Sequence, residues 1–301
     1  MDESKPKIIV FKGSVDPLEN CVKLNLTNTT ACAVQCAKNE SCLLAVMKSK
    51  QCTHCRYGSI TSLTREGTEE YYIALKFTHG FDTLIQDSSI AGYATSSLLS
   101  YYSPAPKEIE ETCPFGKTYL KTCPDGWEMF KRGTIWYCLK VFTRVENMSN
   151  GEGWNMCIAE GGILSGLETM QEAKFVNESA TKLMKASGSV GQVGWMVWLS
   201  GKRKESCRRP KDLKTEWDVP DQCKGVKGFT FDDHTLTRFD GNDWDQKEPN
   251  DKNSAQPCIA MMIAATSAKQ KQHGKLDDLG CERTSGNTYN TRGVLCGRLA
   301  E

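Results

Sequence analysis

The stretch that organises the chain is Trp244-Asp245-Gln246-Lys247-Glu248-Pro249-Asn250-Asp251. X-Pro is the one peptide bond that adopts cis at low cost, and a cis Glu248-Pro249 bond would turn the Glu248 and Asn250 side chains toward one point. Glu248 offers acceptor oxygens only, whereas Asn250 offers a carbonyl oxygen and an amide donor. The pair can therefore ligate a hard cation and still hydrogen-bond a second ligand. Twenty-six residues after Asn250 a second cluster begins, Leu276-Asp277-Asp278-Leu279-Gly280-Cys281. Ca²⁺ takes about 6 to 8 oxygens, and the two clusters together can supply most of them.

Outward from these clusters, composition sets the frame. A chain of 301 residues with 39% apolar content is long for one compact domain and comfortable for two. The net charge of +1 gives no global field that would favour nucleic acid or a membrane. Fifteen cysteines against four histidines point to a disulfide framework made in an oxidising compartment, so a secreted, extracellular protein is expected. The polar start, Met1 to Pro6, and the short apolar run Ile8 to Phe11 show no signal peptide, and a leader is expected to be missing from this chain. Sequons at Asn25, Asn28, Asn39, Asn147 and Asn177 fit a glycoprotein. Residues 88 to 106 are uncharged but rich in Ser, Gly, Thr and Pro, so no membrane span is expected there.

Residues 8 to 78 form a cysteine-rich unit. Cys21, Cys32, Cys36, Cys42, Cys52 and Cys55 lie between a strand-like Ile8 to Phe11 and a closing Tyr71 to Phe77. Thr30 to Cys36 reads as a short helix with two cysteines at i and i+4 on one face. Six cysteines leave fifteen connectivities open. Cys52-Thr53-His54-Cys55 has neither the βαβ surroundings of a redox motif nor further zinc ligands at suitable spacing, and structural disulfides are expected instead. The layout is similar to the PAN-like or CW domain that precedes lectin domains in many nematode proteins. Residues 79 to 112, turn-rich and then charged, read as a linker.

From Cys113 to Glu301 cysteines thin out and tryptophans appear. Cys123 to Trp127 with Tyr137-Cys138 reads as a hairpin, and Ser149-Asn150-Gly151-Glu152 as a capping box opening a helix that Gly161-Gly162 stops. Thr169 to Glu172 starts a second helix, with Ala173, Val176, Ala180 and Leu183 on its apolar face. Strands are expected at Trp195 to Gly201, Ile259 to Ile263 and Val294 to Cys296, with a long loop-rich insert before the last of them.

Taken together, these features resemble the C-type lectin fold in its long form. The class is α+β: two helices, small antiparallel sheets and long binding loops, preceded by the small disulfide-rich PAN-like domain. The resemblance implies the pairs Cys123–Cys138, Cys157–Cys296, Cys207–Cys223 and Cys258–Cys281. Cys113 is then left over, open to a disulfide-linked dimer or to remaining free. It further implies a Ca²⁺ site. Glu248 and Asn250 match the family's Glu-Pro-Asn motif, Gln256 stands in place of a glutamate, Asp277 in place of an asparagine, and Asp278 matches the aspartate that also lends its carbonyl. The set keeps a formal charge of −3, and affinity follows ligand charge and geometry. Leu276 replaces a packing tryptophan, and Pro257, where a carboxylate would be needed, speaks against an auxiliary calcium site.

For Glu-Pro-Asn the resemblance implies glycans of the mannose, glucose and N-acetylglucosamine group, on cell or microbial surfaces. Two vicinal hydroxyls would complete the Ca²⁺ shell and bond Glu248, Asn250, Asp277 and Asp278. The alternative is a Ca²⁺-independent protein-interaction module on the same fold, which Gln256 and Leu276 keep open. The seven basic residues from Lys202 to Lys214 read as a solvated loop, and Asp232-Asp233-His234 as a turn. No phosphate loop, nucleophile elbow or His-Glu-x-x-His helix occurs, so an enzyme is not expected.

Overall fold

The computed structural model describes residues 7–39, 41–64, 71–77, 117–119, 121–188, 193–211, 213, 217–284 and 289–301. The expected linker at 79–112, Cys113 and Lys214 lie outside them. The chain divides into two compact units, Met1–Trp136 with Leu299–Glu301, and Tyr137–Arg298.

In the first unit the strands are β1 (Lys7–Lys12), β2 (Ser14–Asp16), β3 (Val22–Leu24), β4 (Cys42–Lys48), β5 (Gln51–Arg56), β6 (Ser62–Thr64), β7 (Tyr72–Phe77), β8 (Lys117–Tyr119) and β9 (Glu128–Arg132), with helix α1 (Thr29–Lys38) after β3. A five-stranded sheet runs in the order β1-β7-β4-β5-β3, and β2, β6 and β8 make a smaller one. Asn28 caps α1 by accepting the Ala31 N–H, an arrangement its short side-chain oxygen favours. Cys32, Ala33 and Cys36 on the buried face of α1 pack with Cys42, Ala45, Met47, Cys52 and Ala74. The connectivity left open by the sequence is Cys21–Cys55, Cys32–Cys52 and Cys36–Cys42. Cys52 and Cys55 thus pair outward and not with each other, and the buried His54 ring meets the Cys32 carbonyl at 2.9 Å. In so small a core, bridges of this kind typically contribute about 2–4 kcal/mol each.

The second unit takes most of β10 (Ile135–Thr143), then α2 (Asn150–Ala159), β11 (Ile163–Leu164), α3 (Met170–Ala186), β12 (Gly194–Arg203), β13 (Phe229–Thr230), β14 (Cys258–Ala264), β15 (Leu276–Leu279) and β16 (Tyr289–Leu299). Its sheet has the order β15-β14-β12-β16-β10. β12 is antiparallel to β14 but parallel to β16, which the expectation of antiparallel sheets did not include. A strand covered on both faces has no reason to alternate, and Gly194 to Ser200 are all buried. Trp198 donates its indole N–H to the Met148 carbonyl at 2.8 Å, so its burial leaves no orphan donor. Gly194, at φ +147°, could carry no side chain, since a Cβ would lie 2.0 Å from the Ile263 carbonyl oxygen.

Both helices start as their sequences dictate. Ser149 and Glu152 form a reciprocal capping box, and Thr169 accepts the Glu172 N–H. The apolar face of α3 buries Ala173, Val176 and Ala180 and then closes on Met184 in place of Leu183. The Cys157–Cys296 bridge ties α2 to β16.

The long segment between β12 and β14 is held by two buried carboxylates. Asp233 accepts from Ser165 Oγ at 2.7 Å and the Gly166 N–H at 3.2 Å, while Glu168 accepts the Thr237 and Arg238 N–H groups, each at 2.8 Å. The expected turn at Asp233 is therefore also an internal anchor. Cys207–Cys223 closes the early part of the segment.

Candidate functional site

β14 and β15 pair in antiparallel register, with Ile259 opposite Asp278 and Ala260 opposite Asp277, and Cys258–Cys281 locks their ends. The Glu-Pro-Asn stretch is laid beside β15 by two backbone bonds, Leu276 N–H to Asp243 at 2.8 Å and Asp245 N–H to Leu276 at 2.9 Å. Trp244, between them, stacks on Phe229. The Glu248-Pro249 bond is cis.

This register brings carboxylate oxygens of Glu248, Asp277 and Asp278 within 4.8 Å of one another. Asn250 contributes an Oδ1 that is buried and has no hydrogen-bond partner. Like charges at this range disfavour ionisation, and removal from water adds to the effect. Burial, and then the charges of Asp277 and Asp278, push the Glu248 carboxyl up to about 8. Burial, and then Asp278, push Asp277 up to about 7, against a smaller lowering by Arg283. The Tyr289 phenol is raised to about 12, chiefly by burial and also by Asp245 and Asp277.

Asp278 sits differently. It is fully buried, its Oδ1 accepts the Asn250 N–H at 2.9 Å, and its Oδ2 accepts the Asp251 N–H at 2.8 Å and the Arg203 guanidinium. Arg203, part of the basic run expected to be solvated, has a side-chain exposure of 0%. A buried charge is retained only when paired, and the pairing is with Asp278 and, at 3.8 Å, Asp251. Lys202, Lys204 and Lys211 do face solvent as expected. Sequence reasoning missed Arg203 and Asp251. The signal it had was the position of Arg203 at the end of a buried strand.

Gln256 is placed beside the cluster but turned to other partners. Its Oε1 accepts the Lys252 N–H and its Nε2 donates to the Asp278 carbonyl, each at 2.5 Å. The Asp278 carbonyl, expected as a ligand, is thus the acceptor for that amide.

A hard cation fits the four side chains that remain. All donors are oxygens, three are carboxylates, and the orphaned Asn250 Oδ1 gains a partner only if something enters the site. Asp278 Oδ1 keeps a lone pair for the purpose.

Two helices, a mixed sheet, long disulfide-braced loops and this cluster define a C-type lectin-like domain, with a PAN-like domain at the N-terminus. The chain belongs to the family of C-type lectin domain-containing proteins 141/158, whose model matches residues 130–299, and residues 8–77 match the PAN-like domain. A curated relative, a snaclec from Philodryas olfersii, is 36% identical over 63 residues, 21% of this chain. The chain spans 37% of that relative's length. Among solved structures, a calcium-independent type II antifreeze protein is 18% identical, covering 60% of this chain and 97% of that one at a TM-score of 0.35. The cow C-type carbohydrate-recognition domain of CD23, in the presence of GlcNAc2Man3 oligosaccharide, is 19% identical, covering 60% and 98% at a TM-score of 0.35. Domains of this family are generally non-enzymatic. No helix among the described residues is long and apolar enough to cross a membrane.

Proposed function

We propose that the protein is a secreted, calcium-dependent carbohydrate-binding protein directed at mannose, glucose or N-acetylglucosamine-type glycans on cell or microbial surfaces. The observation that carries this reading is the convergence of Glu248, Asp277 and Asp278 beside the unpartnered Asn250 Oδ1. Glu248, Asn250, Asp277 and Asp278 would hold Ca²⁺, which when bound supplies coordination positions for two vicinal sugar hydroxyls. Glu248 and Asp277 accept hydrogen bonds from those hydroxyls and the Asn250 amide donates to them. One shallow site binds weakly, so useful affinity requires several copies, for which a disulfide through Cys113 is one route. The disulfide framework supports an extracellular setting. Asn25, Asn28 and Asn39 are exposed and open to glycosylation. We assign residues 8–78 to the PAN-like domain, 79–112 to a linker and 113–301 to the lectin domain.

A second reading, a Ca²⁺-independent protein-interaction module, is favoured by two observations: Arg203 already neutralises Asp278, and Gln256 is engaged elsewhere. Chromatography of the disulfide-intact chain on mannose-agarose separates the two. Retention in Ca²⁺ with release by EDTA, lost or switched to galactose in Glu248→Gln/Asn250→Asp, supports the lectin. Flow-through without any Ca²⁺ effect on the melting temperature sinks it and promotes the second reading.

A further inference from the structure

We infer that Arg203 is a resident internal cation that holds the ligand-bearing loop in its binding shape without a metal; this deepens the reading of the site proposed above by assigning what orders it. The guanidinium is buried, each of its three nitrogens donates a hydrogen bond, and one face meets an aromatic ring. Nη2 donates to Asp278 Oδ2, Nε to the Gln256 carbonyl at 3.2 Å, and Nη1 to the Cys207 carbonyl at 3.3 Å. The Phe229 ring lies 4.7 Å from the guanidinium carbon. A planar fork with five donors can serve these acceptors together, whereas an ammonium cannot.

The two carboxylates that Arg203 compensates are the acceptors for the loop's own amides. Asp278 takes the Asn250 and Asp251 N–H groups. Asp251, also fully buried, takes the Gln256 N–H at 2.8 Å and the Arg209 N–H at 2.8 Å. Asp251 itself sits at φ +45°, a conformation that needs such fixing. Arg208 adds to Asp251 at 3.3 Å from a partly exposed position. Without Arg203, Asp278 would lose its guanidinium partner and Asp251 would keep only the partly exposed Arg208, and the loop would open to hydrate these buried charges. With it, the positions of Glu248 and Asn250 are set before any ligand arrives, so binding carries little ordering cost. Arg203 is accordingly a positioning residue: it reaches the cation site only through Asp278 Oδ2, on the carboxylate that also holds the loop amides.

Hydrogen–deuterium exchange on the full, disulfide-intact chain tests this, comparing peptides over residues 246–258 with those from β12 and β14. In wild-type protein in EDTA the loop amides are expected to stay protected, with Ca²⁺ changing their rates by less than about three-fold. In Arg203→Met in EDTA they should exchange at least about ten-fold faster while the strands stay protected, and Arg203→Lys should fall between. A wild-type loop that is unprotected in EDTA and ordered only by Ca²⁺ would overturn the inference. So would unchanged protection in Arg203→Met. If that variant loses strand protection as well, the wild-type and Arg203→Lys measurements decide. The EDTA measurement stands even if the protein binds no calcium, so failure of the lectin reading and failure of this inference are distinguishable.

Discussion

The candidate site has two halves that treat the same chemistry in opposite ways. Asp278 and Asp251 are fully buried, and their charges are met by Arg203, Arg208 and backbone N–H groups. Glu248 and Asp277 are less buried, yet their carboxyls are pushed up to about 8 and about 7, because burial and the neighbouring acidic charges outweigh the lowering by the Asn250 N–H and by Arg283. The compensated half holds the loop, and only Asp278 Oδ1 also faces the cluster. The uncompensated half is where a cation would lower the free energy, so burial alone does not distinguish a structural acid from a binding one.

The largest effect expected from breaking this contrast lies in the framework half. Asp278→Ala leaves the Arg203 guanidinium without its main partner, and breaking a buried pair costs about 3–5 kcal/mol. For a unit of this size that corresponds to a fall in melting temperature of roughly 10 °C or more in EDTA, followed by circular dichroism. Glu248→Gln under the same conditions should leave the melting temperature within about 2 °C of wild type. Equal losses in both variants would erase the distinction between the halves.

Calcium comes next. At a concentration of about 100 Kd it should stabilise the native protein by about 2.7 kcal/mol, read as a rise in melting temperature. Asp277→Asn and Glu248→Gln should each reduce that rise, whereas Gln256→Ala should preserve it.

The pH dependence sharpens the comparison further. Glu248 and Asp277 have folded-state values above their unfolded ones, so their contribution to metal-free stability is fully present below the unfolded values of 4.5 and 3.8. It is lost as pH rises through about 7 for Asp277 and about 8 for Glu248. Melting of the metal-free protein should therefore show this pair destabilising the fold from pH 5 toward pH 8, with Asp277→Asn flattening the trend. Calcium affinity should run the other way. It should rise over the same window by up to about ten-fold per pH unit for each carboxyl that must lose its proton, as isothermal titration would record.

The smallest effect on the calcium response is expected at Gln256. Alanine there removes one bond to the Lys252 N–H and one to the Asp278 carbonyl, together costing about 1–2 kcal/mol of stability, followed by thermal melting. A loss of the calcium response in that variant would instead return Gln256 to the ligand set.

Much of this molecule was legible locally. The capping box at Ser149–Glu152, the α3 start at Thr169, the apolar run of β12 and the carboxylate clusters around Pro249 and Asp277 are signals confined to a turn of helix or a few strand residues. Their physics acts over short sequence distances, so neighbouring residues suffice to write it down. The lectin-like cysteine order was legible through resemblance, but the six N-terminal cysteines admitted fifteen pairings by spacing alone. Packing of α1 against β4 and β5 selects Cys32–Cys52 and Cys36–Cys42.

The oxygen-bearing side chains around Pro249 and Asp277 are visible as a short-range pattern, but which of them are already engaged depends on contacts made across the fold. Arg203 and Asp278 are 75 positions apart and meet because β12, β14 and β15 share one sheet. In the sequence Arg203 is one of seven basic residues in a run that reads as a solvated loop. Its role comes from burial, because a guanidinium removed from water must find anions, and the anions it finds are those that hold the loop.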